Sequence, residues 1–75
     1  MLEVSSMQIR VKFHIREVRE KQNISIRQLA ELSGVSKSHI SEIENGTSVP
    51  TVYTLCVLAV ALGNRPENLY SYEML

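Results

Sequence analysis

The sequence predicts an all-α domain of about five short helices, with a short N-terminal strand able to pair with the C-terminal end. Three observations carry this. Apolar side chains recur at helical spacing through most of the chain. Hydroxyl residues stand where those patterns begin, and glycine or asparagine stands where they end. Seventy-five residues hold a single core, so residues 1–75 are read as one domain.

Residues 7–13, MQIRVKF, alternate: Met7, Ile9, Val11 and Phe13 lie on one side, Gln8, Arg10 and Lys12 on the other. Period two means a half-buried strand. Its expected partner is residues 70–73, or the same strand of a second subunit, since an unpaired apolar strand invites aggregation. A helix then runs to about Gln22 with Ile15 and Val18 inward, and Asn23 stops it.

In ISIRQLAELSG, Ser25 and Gln28 have capping-box spacing, with Ile24 and Leu29 as the hydrophobic staple. Leu29, Ala30 and Leu32 supply the apolar positions, and Gly34 sits where a left-handed residue is needed. Ser36 caps a third helix reaching Glu44, which Asn45-Gly46 ends. After the loop TSVP, Thr51 caps a longer helix reaching Leu62, with Leu55, Leu58, Ala59 and Leu62 inward and Gly63 closing it. Pro66 opens a final short helix, PENLY.

Composition narrows the function. With 44% hydrophobic residues, no repeat and no low-complexity tract, the chain is globular. The start, MLEVSSMQIRVKF, lacks the basic and apolar regions of a signal peptide. The most apolar run, VYTLCVLAVALG, is too short for a bilayer span of about 20 residues. The single cysteine, Cys56, forms no internal disulfide; it is read as a small buried apolar residue in a reducing cytoplasm. Two histidines and one cysteine give no four-ligand metal spacing, and His14 is read as a strand-end surface residue. No nucleophile elbow, phosphate-cradling glycine loop or carboxylate pair is present, so no enzyme, cofactor or small-molecule ligand is expected. Formal charge is zero but unevenly spread: residues 8–38 carry seven cations against three carboxylates, while from His39 onward only Arg65 opposes four. That asymmetry suggests one basic face.

Two short helices joined through Gly34 and Val35, with Ala30 allowing close approach, make a helix-turn-helix unit over about residues 25–45. At 100° per residue, Lys37, Ser38, Ser41, Glu42 and Asn45 share one face of the second helix. These side chains are short or hydrogen-bonding, as a helix entering the major groove of double-stranded DNA requires.

From Ile15 to Tyr70 the chain resembles the XRE, or Cro/lambda-repressor-like, family of helix-turn-helix regulators. The resemblance rests on Arg19, the Ile-Ser and Leu-Ala pairs between Ile24 and Ala30, the run GVSKSHISEIENG from Gly34 to Gly46, Pro50, Leu55, Ala59 and the Ala61–Gly63 tripeptide. It implies a lambda-repressor-like DNA-binding domain with base-reading at Lys37, Ser38, Ser41 and Glu42. Phosphate contacts would come from Ser25, Asn45 and the Gly46 N–H; beside them, Arg27 is read as a further phosphate contact and His39 as a phosphate neighbour or a spectator. Arg19 and Glu44 would form a structural ion pair. Ile26 stands where relatives often carry glutamine, and Thr47 to Pro50 lacks their loop cations. Lys37 in place of the common glutamine favours guanine over adenine, and Glu42 can accept from a cytosine amino group.

Tyr53, Val57 and Val60 form a second apolar stripe on the fourth helix, surplus to one core, and are read as a homodimer interface. The expected function is transcription regulation by a small repressor of phage, mobile-element or antitoxin type. The competing reading is a protein-interaction module of the same fold with little DNA affinity.

Overall fold

A computed structural model describes residues 8–75. The opening seven residues lie outside it, and with them Met7 of the expected strand and most of the stretch weighed as a signal peptide. The order is β1 (Ile9–Phe13), α1 (Ile15–Lys21), α2 (Ile26–Ser33), α3 (Lys37–Glu44), α4 (Val52–Ala61), a 3-10 turn (Pro66–Asn68) and β2 (Tyr70–Met74). The all-α, five-helix expectation is therefore corrected. Four α-helices are joined by a two-stranded antiparallel ribbon, and the fifth helix is one 3-10 turn. That turn stays short because Leu69, immediately after it, is fully buried and redirects the chain into β2.

The expected pairing of the two chain ends is present. Ile9 faces Met74, Val11 faces Tyr72 and Phe13 faces Tyr70, with Arg10 and Lys12 opposite Glu73 and Ser71 on the other face.

The helices are seven to ten residues long, below the length at which an isolated helix persists in water. Their ends compensate. Ser25, Ser36 and Thr51 each accept the N–H three residues on, and Ser25 and Gln28 complete the capping box in both directions. At the far ends, Asn23 (φ 56°) and Gly63 (φ 60°) are left-handed. There Ile24 N–H returns to the Arg19 carbonyl and Asn64 N–H to that of Ala59, the six-to-one bonds of Schellman closures. Leu62 is the C-cap of α4 rather than its last turn.

Ile15, Leu29, Ile40, Ile43, Leu58, Ala59 and Leu69 form a dry centre, with Leu55 and Leu62 nearly as buried. Val18, Ile24, Ala30 and Val35 pack on it. The apolar face of β1, expected to be half-buried, is exposed at Ile9 and Val11, because β2 covers only the strand's edge and not its face. Two further positions differ from expectation. Leu32 is 62% exposed, because α2 turns Leu29 inward and leaves the residue three further on at the edge. Cys56 is only half-buried, on the flank of α4.

Gly34, at the turn between α2 and α3, has φ 76° and open space where a Cβ would stand. Gly34→Ala should therefore cost only the left-handed backbone strain, about 1–2 kcal/mol. Gly34→Asn should cost less, since asparagine tolerates that conformation, as Asn23 does here. Thermal or urea melts of the two variants check the ranking.

Candidate nucleic-acid interface

The interface begins with α3. Ser36 accepts the His39 N–H at 3.1 Å and starts the helix abruptly, so that Lys37 and Ser38 stand in its first turn. Ile40 and Ile43 are buried and fix its rotation. That rotation leaves Lys37, Ser38, Glu42 and Asn45 exposed and Ser41 and His39 half-buried. The outward face carries a cation, a hydroxyl, a carboxylate and an amide.

The far end of α3 is held electrostatically. The Glu44 side chain is 1% exposed and receives three guanidinium bonds. Arg19 Nε donates to Oε2 at 2.8 Å and its second nitrogen to Oε1 at 3.1 Å, while Arg16 Nε reaches Oε1 at 3.3 Å. Arg19 also donates to the Ile24 carbonyl at 3.0 Å. Its pKa is raised, first by the hydrogen bond to Glu44, against the opposing effect of burial. Bidentate pairing of this kind is worth more than a surface salt bridge, because both groups have little water to compete.

Arg16, neither of whose bonds sequence reasoning found, makes a second one. It donates to Asn45 Oδ1 at 2.9 Å, which turns the amide nitrogen of Asn45 toward Ser41 Oγ, 3.4 Å away, and toward solvent. Asn45 thus presents a donor at the end of α3. The available signal was spacing: Arg16 lies one turn before Arg19 on the same face of α1. The Gly46 N–H is already engaged, donating to the Ile43 carbonyl at 3.2 Å in the closure of α3.

At the start of α2, the exposed Ser25 accepts from the Gln28 N–H, leaving its own hydroxyl proton available. Arg27 is exposed and only loosely paired with Glu31 at 3.8 Å. The uneven charge noted in the sequence is partly neutralised in space. Arg10, Arg16, Arg19 and Arg27 all have carboxylate partners, whereas among the described residues Lys12, Lys21 and Lys37 have no ion pair. His14 lies between β1 and α1, bonded to Ser71 Oγ at 2.7 Å and Glu17 at 2.9 Å, and so joins ribbon to helix.

The stripe on α4 leaves Tyr53 79% and Val60 80% exposed, with Val57 half-buried between them. Leu32 borders the same hollow. Among the described residues no group of three or more metal-ligating side chains converges, and no helix is long and apolar enough to cross a membrane.

A family model described as helix-turn-helix matches residues 15–69. An uncharacterized HTH-type transcriptional regulator of Mycobacterium tuberculosis is 45% identical over 56 residues, 75% of this chain and 40% of that protein. SutR, an HTH-type transcriptional regulator of Escherichia coli, is 40% identical over 48 residues, 64% of this chain and 27% of its own. Among solved structures, the restriction-modification controller protein C.AhdI from Aeromonas hydrophila is similar with a TM-score of 0.70 and 31% identity, covering 72% of this chain and 82% of that one. The chain belongs to the XRE-type helix-turn-helix family, a family of DNA-binding transcription regulators. It spans about two fifths of the length of the M. tuberculosis relative.

Removing one side of a buried ion pair leaves the other charge without a partner and costs about 3–5 kcal/mol. Glu44→Ala should accordingly lower the melting temperature by many degrees, and Arg16→Ala, at the exposed rim, by far less. A melt of Glu44→Ala within a degree or two of the parent protein would contradict the assignment.

Proposed function

We propose that this chain is a sequence-specific binder of double-stranded DNA that places α3 in the major groove, acting as a small transcriptional repressor of phage, mobile-element or antitoxin type. One observation carries the reading. The exposed face of α3 holds only polar side chains able to reach base edges, while Ile40, Ile43 and the Glu44 pair fix that helix rigidly beneath. A surface kept polar and held still by its own core is suited to direct readout.

Lys37 and Ser38 are the principal base readers in this proposal, with Ser41 and Glu42 one turn further on. Ser25, Arg27, His39 and Asn45 hold the phosphate backbone. Base contacts specify and phosphate contacts position. Because the Gly46 N–H closes α3, the donor at that end is the Asn45 amide, oriented by Arg16. Lys37→Ala should weaken binding by about 1–3 kcal/mol and relax preference at one base pair. Selection from a random DNA pool checks this: an unchanged selected sequence would remove Lys37 from the readers. Absence of any shift on genomic DNA at low salt would favour the protein-interaction reading instead.

One helix-turn-helix covers half a site, and specific binding uses two units about 34 Å apart. The proposal therefore includes a symmetric homodimer with Tyr53, Val57 and Val60 at or near its two-fold axis. Val57→Glu with Val60→Lys should give a folded monomer with weakened DNA binding. A double variant that sediments as a dimer and binds normally would overturn this interface.

A further inference from the structure

The ribbon lies outside the family-matched span: β1 ends before residue 15 and β2 begins after residue 69. Its two faces differ sharply. On one, Arg10 pairs with Glu73 at 3.1 Å and Lys12 stands opposite Ser71. On the other, every cross-strand pair is apolar or aromatic: Ile9 with Met74, Val11 with Tyr72, Phe13 with Tyr70. Only Phe13, at the root, packs on the core; the other five are exposed. A lone two-stranded ribbon is marginally stable in water and needs its apolar face packed against something.

The dry face does not stop at the ribbon. From Phe13 and Tyr70 it continues into a groove of about 300 Å³ floored by Val52, Leu55 and Cys56 at the start of α4. Cys56 also lines the hollow beside Tyr53, Val57 and Val60. Neither the groove nor the hollow has a charged residue in its lining. On the α4 side an uncharged band thus runs from the ribbon along the outer side of that helix, whereas on the α3 side Val11 and Phe13 border a hollow that Lys12, Glu17 and Glu44 also line.

We propose that the ribbon is a dimerisation arm whose apolar face lies against α4 of a second copy of this chain, each arm crossing to the other subunit. The proposal rests on the α4 homodimer reading and extends it. A band without charge excludes a charged partner surface, since an unpaired charge against it would be costly. This chain supplies the complementary partner itself, because it has both a projecting apolar ribbon and an apolar helix face. A two-fold axis exchanges the two: ribbon meets helix and helix meets ribbon. The area is also sufficient. Roughly 100 Å² from each half-exposed large apolar side chain gives, over the band, about the 800 Å² per partner that a stable interface uses.

The test is sedimentation of the whole chain over a concentration series. Val11→Lys with Tyr72→Lys should raise the dimer dissociation constant tenfold or more, while Arg10→Gln with Glu73→Gln on the wet face should leave it within about twofold. Met74→Lys, at the ribbon end away from the core, repeats the test where folding is least at risk; circular dichroism confirms that each variant keeps its helices. A dry-face variant with an unchanged dimer constant overturns the arm. If Val57→Glu with Val60→Lys dissociates the dimer and the dry-face variants do not, only the arm fails. A parent chain that is monomeric at every concentration overturns the homodimer and the arm together.

Discussion

Glu44 is a carboxylate almost out of contact with water, and the placement of the outward polar face of α3 follows from what surrounds it. Its position is doubly unfavourable. Burial penalises the charge, and the C-terminal end of a helix carries a partial negative charge of its own. Arg19 offsets both with a planar fork that fits the two carboxylate oxygens, and Arg16 adds a third donor from the same helix face. The consequence is geometric. With one further bond to the Ile24 carbonyl, the Arg19 guanidinium connects α1, the entry to α2 and the last residue of α3. A shift of α3 along its axis would leave a buried charge without its partners, so α3 is held in one position. The rigidity of the outward polar face is a result of this contact as much as of the core.

The helices themselves are too short to persist alone, and the closures at their ends explain why they remain well defined. α3 is closed by the Thr47 N–H returning to the Glu42 carbonyl, with Gly46 at φ 79° making the turn. This places Asn45 immediately before the chain reverses, beside the Arg16 guanidinium. The turn at Gly46 thus lets the closing N–H groups reach the carbonyls of α3, while Arg16 sets the direction of the Asn45 amide.

Local rules made much of this legible in the sequence. Ser25, Ser36 and Thr51 as caps, Gly34 and Gly63 as stops, and the inward set of α4 each depend on residues within one or two turns, where sterics and hydrogen bonding decide. What was not legible depends on approach between distant segments. Period two points to pairing of residues 9–13 with 70–73 or with a second subunit but does not choose between them; Leu69 entering the core and delivering β2 alongside decides for the former. Pro66 opens a helical turn equally well in a 3-10 or an α-helix, and the buried Leu69 decides for the shorter one. Leu32 looked inward by composition, yet α2 needs only Leu29 fully buried and Ala30 half-buried to meet its neighbours. Arg16 has no assigned role in the sequence because its partners lie 28 and 29 residues away.

The location of α2 gives the last step. It packs against both α3 and α4, so it lies between the surface proposed to read DNA and the surface proposed to meet a second copy. Leu29, fully buried, with Ile26 and Ala30, half-buried, are its contacts with the core. α4 is apolar on nearly every side, and such a helix is either enclosed or partnered; here its inner side is enclosed by Leu55, Leu58 and Ala59, while Tyr53 and Val60 remain in water. Any association through that outer side would set the separation of two α3 helices through α2, which packs on α3 and α4 alike, together with the Arg19–Glu44 contact that ties α3 to α1. Close packing makes α2 a stiff spacer, because interiors at crystal-like density transmit displacement instead of absorbing it. In the proposed dimer, a change in size at Ala30 would therefore act on the spacing of the two α3 helices, a property of the pair, while leaving the proposed base-reading residues of each subunit untouched.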